Sequence, residues 1–236
     1  MLCVGSLVLG TVPVLAADCS GTLTMPFVAS PAIGGRYSPP DGFDVATQPA
    51  ADLTAGFEVN GVLTAQRDGD CAVPGATASV AARDAGQSGF STRRTGTTNS
   101  QGEWRWTVKP PHTTDLRGTV QVGDERAVSA IVRRTVRPAV SATFGSGSGC
   151  TVFGQGSTFP KKPNHPVWLQ RRITSGNTEK GYLTVSKAVT ASDGSFRVSY
   201  RAPCGADYAL AAYVPASATN TAGRSFYVDL HVLATR

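Results

Sequence analysis

The side chains best suited to catalysis in this 236-residue sequence are its three histidines and a few paired acids. His112, His165 and His231 lie far apart along the chain and form neither an HxH nor an HExxH pattern. No G-x-S-x-G motif supplies a nucleophile, and no P-loop or GxGxxG motif indicates a nucleotide cofactor. We therefore expect no catalytic residue, no cofactor and no enzymatic activity.

Two acidic stretches share part of the pattern of a calcium loop. Asp68 and Asp70 lie two positions apart, with Asp84 further along, and Asp41 and Asp44 form a similar pair. Calcium takes about six to eight oxygen ligands, and neither stretch contains the Glu that closes an EF-hand loop. We expect solvated turns at both places and no metal site.

Basic residues surround the third tryptophan and form the candidate binding site. The stretch FPKKPNHPVWLQRR contains Trp168 with four cations, Lys161, Lys162, Arg171 and Arg172. Strand alternation places the tryptophan opposite its apolar neighbours, where it suits stacking on a sugar or contact with an anionic polymer. The alternative is that it packs beneath the arginine stems. The net charge of +6 agrees with an anionic partner and equally with a soluble basic surface.

The composition predicts many short strands joined by tight turns. The chain has 26 Gly, 15 Pro and only 16% charged residues, and no long stretch has helical apolar spacing. Predicted strands cover residues 57–63, 76–83, 104–108, 116–122, 127–135, 166–173, 181–189, 196–200, 208–214 and 226–232. Strands without intervening helices favour an all-β antiparallel sandwich over a parallel α/β sheet.

An internal repeat accounts for the stretch TTNSQGEWRWTVKPPHTTDL. It aligns without a gap on TASDGSFRVSYRAPCGADY, 92 positions later, so that Gly102 matches Gly194 and Leu116 matches Tyr208. Trp104 and Trp106 fall on apolar positions of the second copy, which favours a place in the core for both. A period near 90 residues has the size of a β-sandwich domain.

The polar stretch VPASATNTAGRS (214–225) is a second candidate for ligand binding. It is several residues longer than VGDERAV, its counterpart in the first copy. Loops at the end of a sandwich often carry binding residues, but they also vary in length without function.

The N-terminal stretch MLCVGSLVLGTVPVLAAD has the character of a secretory signal peptide. It is apolar and ends in small residues, which predicts cleavage after Ala16, with Ala17 as the alternative. No Lys or Arg precedes the apolar run, so a buried N-terminal strand stays open as an interpretation. No second apolar run is long enough for a membrane span. We expect a secreted, extracellular protein that is free or associated with the cell surface.

Cleavage there leaves four of the five cysteines, Cys19, Cys71, Cys150 and Cys204. An even number in an exported chain predicts two disulfides, and four cysteines allow three pairings. No two of them form a CxxC motif, so the spacing does not support a zinc site.

Two stretches, TTNSQGEWRWTVKPPHTTDLRG and GQGSTFPKKPNHPVWLQRR, resemble the repeat modules of secreted bacterial immunoglobulin-like proteins. Those modules run from a turn with Asp/Asn-x-x-Gly through a strand and V-x-P to a Thr-rich corner and a strand with Tyr. The resemblance covers about residues 56–236 and implies tandem β-sandwiches with adhesive, spacer or binding roles. Tyr208 fits the corner position, whereas Leu116 in the first copy departs from it.

The resemblance also implies a disulfide pairing. In an immunoglobulin-like sheet the strand after Cys150 and the strand before Cys204 are antiparallel neighbours, which brings these two cysteines together. Cys19 and Cys71 then form the other bond. Each bond closes a loop of about 50 residues, worth roughly 4 kcal/mol in the chain-entropy model.

The expected fold is two tandem immunoglobulin-like antiparallel β-sandwich domains after a signal peptide. The signal peptide covers 1–16, an irregular segment joined to the first domain covers 17–55, and the sandwiches cover 56–136 and 137–236. The irregular segment either supplies a first strand and hairpins or is partly loose.

The expected function is non-catalytic: an adhesive, structural or interaction role at the bacterial cell surface. One alternative is a binding module for anionic or carbohydrate cell-wall polymers, acting through the region of Trp168. A second is a small secreted hydrolase or its inhibitor, which requires a pocket with His next to Asp. The partners implied are a wall polymer, a glycan or a surface protein, and nucleic acid is not among them.

Overall fold

The computed structural model describes residues 20–31, 53–68, 71–175 and 178–233. Strands of its N-terminal part are β1 (Leu23–Thr24), β2 (Phe27–Pro31), β3 (Leu53–Thr54), β4 (Val59–Thr64), β5 (Gln66–Arg67), β6 (Cys71–Ala72), β7 (Thr77–Asp84), β8 (Ser91–Thr97), β9 (Glu103–Val108), β10 (Thr114–Val122), β11 (Glu125–Val128), β12 (Val132–Arg134) and β13 (Val136–Arg137). Those of its C-terminal part are β14 (Ala139–Gly147), β15 (Thr151–Phe159), β16 (Pro166–Ser175), β17 (Thr178–Val189), β18 (Ser195–Arg201), β19 (Ala206–Val214), β20 (Gly223–Arg224) and β21 (Val228–Val232), with a 3-10 turn at Ser148–Cys150.

Two antiparallel sheets form the first sandwich. One has the order β2-β4-β9, and the other has the order β11-β10-β7-β8, with β12 also paired to β10. The core between them contains Val59 and Trp106 from the first sheet and Val80 and Leu116 from the second. Period-two alternation along each strand turns these apolar side chains inward.

The second sandwich repeats this arrangement. Its sheets have the orders β14-β15-β18 and β17-β16-β19-β20, with β21 also paired to β19. In both sandwiches the first, second and fifth main strands make one sheet and the remaining strands make the other. The predicted fold class, an all-β antiparallel sandwich, is therefore confirmed.

The 92-residue repeat has a direct structural counterpart. Strand β10 begins at Thr114 and ends at Val122, and β19 begins and ends 92 positions later, at Ala206 and Val214. Strands β9 and β18 occupy the same place in their sheets. Side chains of β9 alternate between the two faces, since Trp106 and Val108 are buried while Arg105 is exposed.

Glycines make room for the two tryptophans of the first core. Trp106 is 4% exposed and stacks on Phe27 with ring centroids 5.5 Å apart. A Cβ at Gly61 would lie 1.9 Å from the Trp106 ring, and one at Gly96 would lie 2.2 Å from Trp104 Nε1. Both indoles therefore lie flat on glycine backbone, and the prediction that they belong to the core is correct.

The described part of the predicted irregular segment supplies strands to the first sandwich. Strand β2 pairs with β4, and β1 joins β5 and β6 in a small three-stranded sheet. Strand β3 pairs with β13 in parallel. This agrees with the first of the two alternatives for the segment, while the domain limits themselves stay a prediction.

The predicted signal peptide, Asp41, Asp44 and Asp70 lie outside the described residues. Within the described part of the chain, no helix is long and apolar enough to cross a membrane.

A disulfide and a tyrosine hydroxyl fasten the second sandwich. Cys150 and Cys204 are bonded, with their Cα atoms 5.4 Å apart, which confirms that pairing. Cys71 is also disulfide-bonded, but Cys19 lies outside the described residues, so the Cys19–Cys71 pairing stays a prediction. Tyr208 Oη donates to the Pro203 carbonyl at 3.1 Å. This is the tyrosine corner typical of immunoglobulin-like sandwiches, and the sequence placed it at Tyr208.

Candidate functional site

The three histidines are engaged in separate places. His231 Nδ1 donates to Asp207 at 2.6 Å, but this pair bridges two strands on the surface and both side chains are largely exposed. His112 bonds Asn220, and His165 Nε2 donates to the Pro215 carbonyl at 3.0 Å. Among the described residues the one His–Asp pair thus lies on an open sheet surface and not in a pocket.

Two of the acidic residues considered for calcium, Asp84 and Asp68, lie within the described residues. Asp84 is buried and accepts hydrogen bonds from Thr114 and Arg93, both at 2.7 Å. Asp68 is exposed in a turn. No group of three or more His, Cys, Asp or Glu side chains suited to a metal ion occurs within the described ranges.

The five predicted binding residues do not form a single patch. Lys162 is 7% exposed, and its Nζ donates to Ser217 Oγ at 2.8 Å, whereas its neighbour Lys161 is exposed. Arg171 shares the inward face of β16 and lies 5.6 Å from the Tyr208 ring. Trp168 and Arg172 lie on the outer face of the same strand. Arg171 and Arg172 are separated because successive side chains of a strand point to opposite faces, whereas Lys161 and Lys162 lie in the loop before β16.

Trp168 belongs to a continuous row of rings and cations across the outer face of the second sandwich. The row, here called the aromatic–arginine face, consists of Trp168, Tyr213, Arg224, Tyr182, Tyr227 and Arg172. Its closest contacts are those of the Arg224 guanidinium, 3.7 Å from the Tyr182 ring centroid and 5.2 Å from that of Tyr213.

The remaining contacts extend this face at both ends. Trp168 lies 5.4 Å from Tyr213, and Lys187 Nζ lies 5.3 Å from the Trp168 ring. At the other end Tyr182 stacks on Tyr227 at 5.7 Å, with Arg172 5.2 Å from the Tyr227 ring. Burial raises the pKa of Tyr227 well above its usual range, so this hydroxyl stays neutral and the face keeps the positive charge of its basic residues. Trp168 thus packs against its neighbours and remains partly exposed, and its role in binding stays a prediction.

Sequence reasoning missed most of this face. Tyr213, Lys187 and Arg224 reach Trp168 or one another across strands β16, β17, β19 and β20, and their meeting depends on cross-strand register. Alternation alone placed Trp168 outward. It did not place any residue of another strand beside it.

The loop predicted as a second binding candidate, 214–225, contacts the first sandwich. Asn220 is 3% exposed, and its Nδ2 donates to the carbonyls of Pro111 at 3.0 Å and Val136 at 3.1 Å. Its Oδ1 accepts from His112 Nδ1 at 3.1 Å. The backbone adds two bonds, from Thr113 to Thr219 at 2.8 Å and from Thr221 to Val136 at 3.0 Å. We call this contact region the joint.

The joint completes a corner that the first sandwich lacks by itself. Pro111 and Leu116 are the repeat equivalents of Pro203 and Tyr208. In the second sandwich the Tyr208 hydroxyl donates to the Pro203 carbonyl, but Leu116 has no donor for Pro111. Asn220 of the second sandwich supplies that hydrogen bond instead.

Comparisons with known proteins yielded structural neighbours only. No protein-family model matches the chain, and no curated protein matches it. One similar solved structure is a tetra-tandem repeat from the extending region of a large adhesion protein, with 15% identity over 89% of this chain and a TM-score of 0.36. The chain spans 49% of that structure.

Two further structural neighbours come from intimin and titin. The D0-D1 domain of intimin is 12% identical, with 77% of this chain and 93% of that one covered and a TM-score of 0.28. A chimeric titin Z1Z2 tandem is 13% identical, with 78% and 94% covered and a TM-score of 0.29. At these scores the functional argument rests on the residues of this chain alone.

The buried ammonium of Lys162 gives a pH-dependent prediction. Burial lowers the pKa of Lys162, so the folded chain releases this proton at a lower pH than the unfolded chain, where the pKa is about 10.4. Below both values the folded state carries the full cost of the buried charge. As the pH rises from 7 toward 10, the unfolding free energy of the wild type should therefore rise relative to that of Lys162→Met.

Urea unfolding at both pH values measures this difference. Lys161→Met is the matched control, because that exposed neighbour should give the same difference from wild type at pH 7 and pH 10. Identical pH dependence in the two variants would contradict the assignment.

Proposed function

We propose that this protein is a secreted, non-catalytic β-sandwich protein with an adhesive or structural role at the bacterial cell surface. The observation that carries the proposal is the joint, in which the second sandwich supplies the corner hydrogen bond of the first. A spacer or adhesive element must hold its modules at a fixed separation. A joint made of buried, directional hydrogen bonds meets that requirement.

The short connection between the two sandwiches also limits bending at the joint. Strand β13 ends at Arg137 and β14 begins at Ala139, so Pro138 is the single residue between them. Pro138 is buried, and its carbonyl oxygen would lie 2.4 Å from a Cβ at Gly223. The fixed φ of proline and this close approach leave little freedom for hinge motion.

The disulfides support an extracellular location. The Cys150–Cys204 bond closes a loop with a sequence separation of 54, and Cys71 is bonded as well. Structural disulfides persist in oxidising compartments and are rare in the reducing cytosol.

Cell fractionation with thiol labelling tests the location. The protein should occur in the culture medium or the surface fraction, and Cys150 and Cys204 should resist maleimide–polyethylene glycol unless a reductant is added. Recovery from the cytosol with both thiols free would overturn the proposed location.

The substitution Asn220→Ala tests the rigid joint. It removes the Asn220 donors to Pro111 and Val136; the Val136 carbonyl keeps its bond from Thr221, but the partly buried Pro111 carbonyl loses its donor, so the unfolding free energy of the protein should fall by about 2 kcal/mol. Small-angle X-ray scattering should show one fixed arrangement of the two sandwiches for the wild type and a distribution of arrangements for the variant.

Tyr208→Phe is the matched control for this experiment. It removes the equivalent corner bond inside the second sandwich, so it should lower stability by about 1 kcal/mol without changing the scattering profile. Equal scattering from Asn220→Ala and Tyr208→Phe would show that Asn220 does not hold the sandwiches together.

A binding role for the aromatic–arginine face is the second candidate function. The half-exposed Trp168 with Lys187 beside it offers a ring surface and a cation to a sugar or an anionic wall polymer. Trp168→Ala combined with Lys187→Ala should reduce retention on purified cell walls at low salt, and high salt should weaken retention of the wild type. Lys161→Ala, which lies off this face, should have no effect. Unchanged retention of the double variant would exclude the face as the polymer site.

A further inference from the structure

A cleft opens at one edge of the first sandwich, away from the aromatic–arginine face and next to the joint, with which it shares Pro111. It lies where the edge strands β8 and β9 of the two sheets run beside each other. Its volume is about 690 Å³, within the range of small-molecule sites. Its apolar lining comprises Ala82, Trp104, Trp106, Val108 and Leu116.

A β-bulge brings two consecutive arginines to the mouth of this cleft. In the pairing of β7 with β8, Val80 is opposite Arg94 and Ala81 is opposite Thr92, so Arg93 is the extra residue. A bulge disturbs strict alternation. Arg93 and Arg94 therefore both line the cleft, although they are neighbours in one strand.

Arg94 differs from the other cations at the rim. Arg93 is bonded to Asp84 at 2.7 Å, Arg105 to Glu103 at 3.3 Å, and Lys109 to Glu58 at 3.4 Å. Arg94 donates to backbone carbonyls, to Thr107 on β9 at 3.2 Å and to Arg93 at 3.2 Å. Among the described residues no carboxylate pairs with it. Its charge is thus available to an anion at the cleft mouth.

Trp106 carries a polar group without a hydrogen-bond partner. The side chain lines the cleft and is 4% exposed, and its Nε1–H is buried with no acceptor among the described residues. An unpaired buried donor costs about 1–3 kcal/mol.

We propose that this cleft binds a small amphiphilic acid, with its apolar ring or chain against the two indoles and its anionic group on Arg94. The apolar lining provides the affinity for the body of the ligand, and the cation without a carboxylate selects the charge. An added peptide strand is disfavoured, because Arg94 already occupies the Thr107 carbonyl at the free edge of β9.

The test compares two fluorescent probes that differ in charge. The anionic probe is 8-anilinonaphthalene-1-sulfonate, and the neutral probe is N-phenyl-1-naphthylamine. Titration of the wild-type protein should give one anionic probe per chain. Arg94→Gln should weaken the anionic probe about tenfold and leave the neutral one unchanged, because it removes one charge-assisted contact at an exposed position. The matched control is Arg126→Gln, at an exposed arginine on β11 at the opposite edge of the same sheet, and it should change neither affinity.

Ala82→Leu tests the location inside the cleft. Ala82 is 3% exposed on β7, and a larger side chain there should weaken both probes, provided that the thermal unfolding transition stays cooperative. If that variant does not fold, Arg94→Gln decides alone. Equal affinity of wild type and Arg94→Gln for the anionic probe, or equal weakening of both probes by Arg126→Gln, would overturn the proposal.

Discussion

The carbonyl of Pro111 needs a hydrogen-bond donor, and the architecture depends on where that donor comes from. Pro111 is partly buried, and a carbonyl removed from water without a donor costs free energy. In the second sandwich the hydroxyl of Tyr208, five residues further along the chain, donates to the Pro203 carbonyl. The first sandwich has Leu116 at that position, so its donor is Asn220 of the second sandwich. The corner hydrogen bond of the first module is therefore supplied by the second.

The need to position Asn220 against the first sandwich explains the polar residues around the loop 214–225. The loop 214–225 is longer than its counterpart because it must reach the first sandwich. His112 bonds Asn220, His165 bonds Pro215, and Lys162 bonds Ser217, so each of these polar side chains holds this loop. Two histidines and a lysine that a search for chemistry would select thus have structural partners. These side chains hold the loop in place, and neither the cleft nor the aromatic–arginine face includes them.

Core positions and the corner residue depend on local sequence pattern and were therefore predictable from the sequence. The 92-residue repeat placed Trp104 and Trp106 in the core, and the resemblance to immunoglobulin-like modules implied Tyr208 as the corner residue and Leu116 as a departure from it. Contacts set by cross-strand register were not predictable. Trp168 meets Tyr213 only because β16 pairs with β19 in one register, and Arg93 joins Arg94 only because of a bulge. Neither the register of a strand pair nor a bulge can be predicted from the order of residues within one strand.

The two sandwiches share a strand order but differ in how their edges close. In the first, β8 has seven residues and β9 carries two indoles, which occupy the space over Gly61 and Gly96 and leave a cleft beside them. In the second, β17 has twelve residues, approaches β18 over a longer stretch, and is paired with a strand whose outer face carries the aromatic–arginine row. The first module therefore offers an enclosed apolar space and the second an open cationic surface.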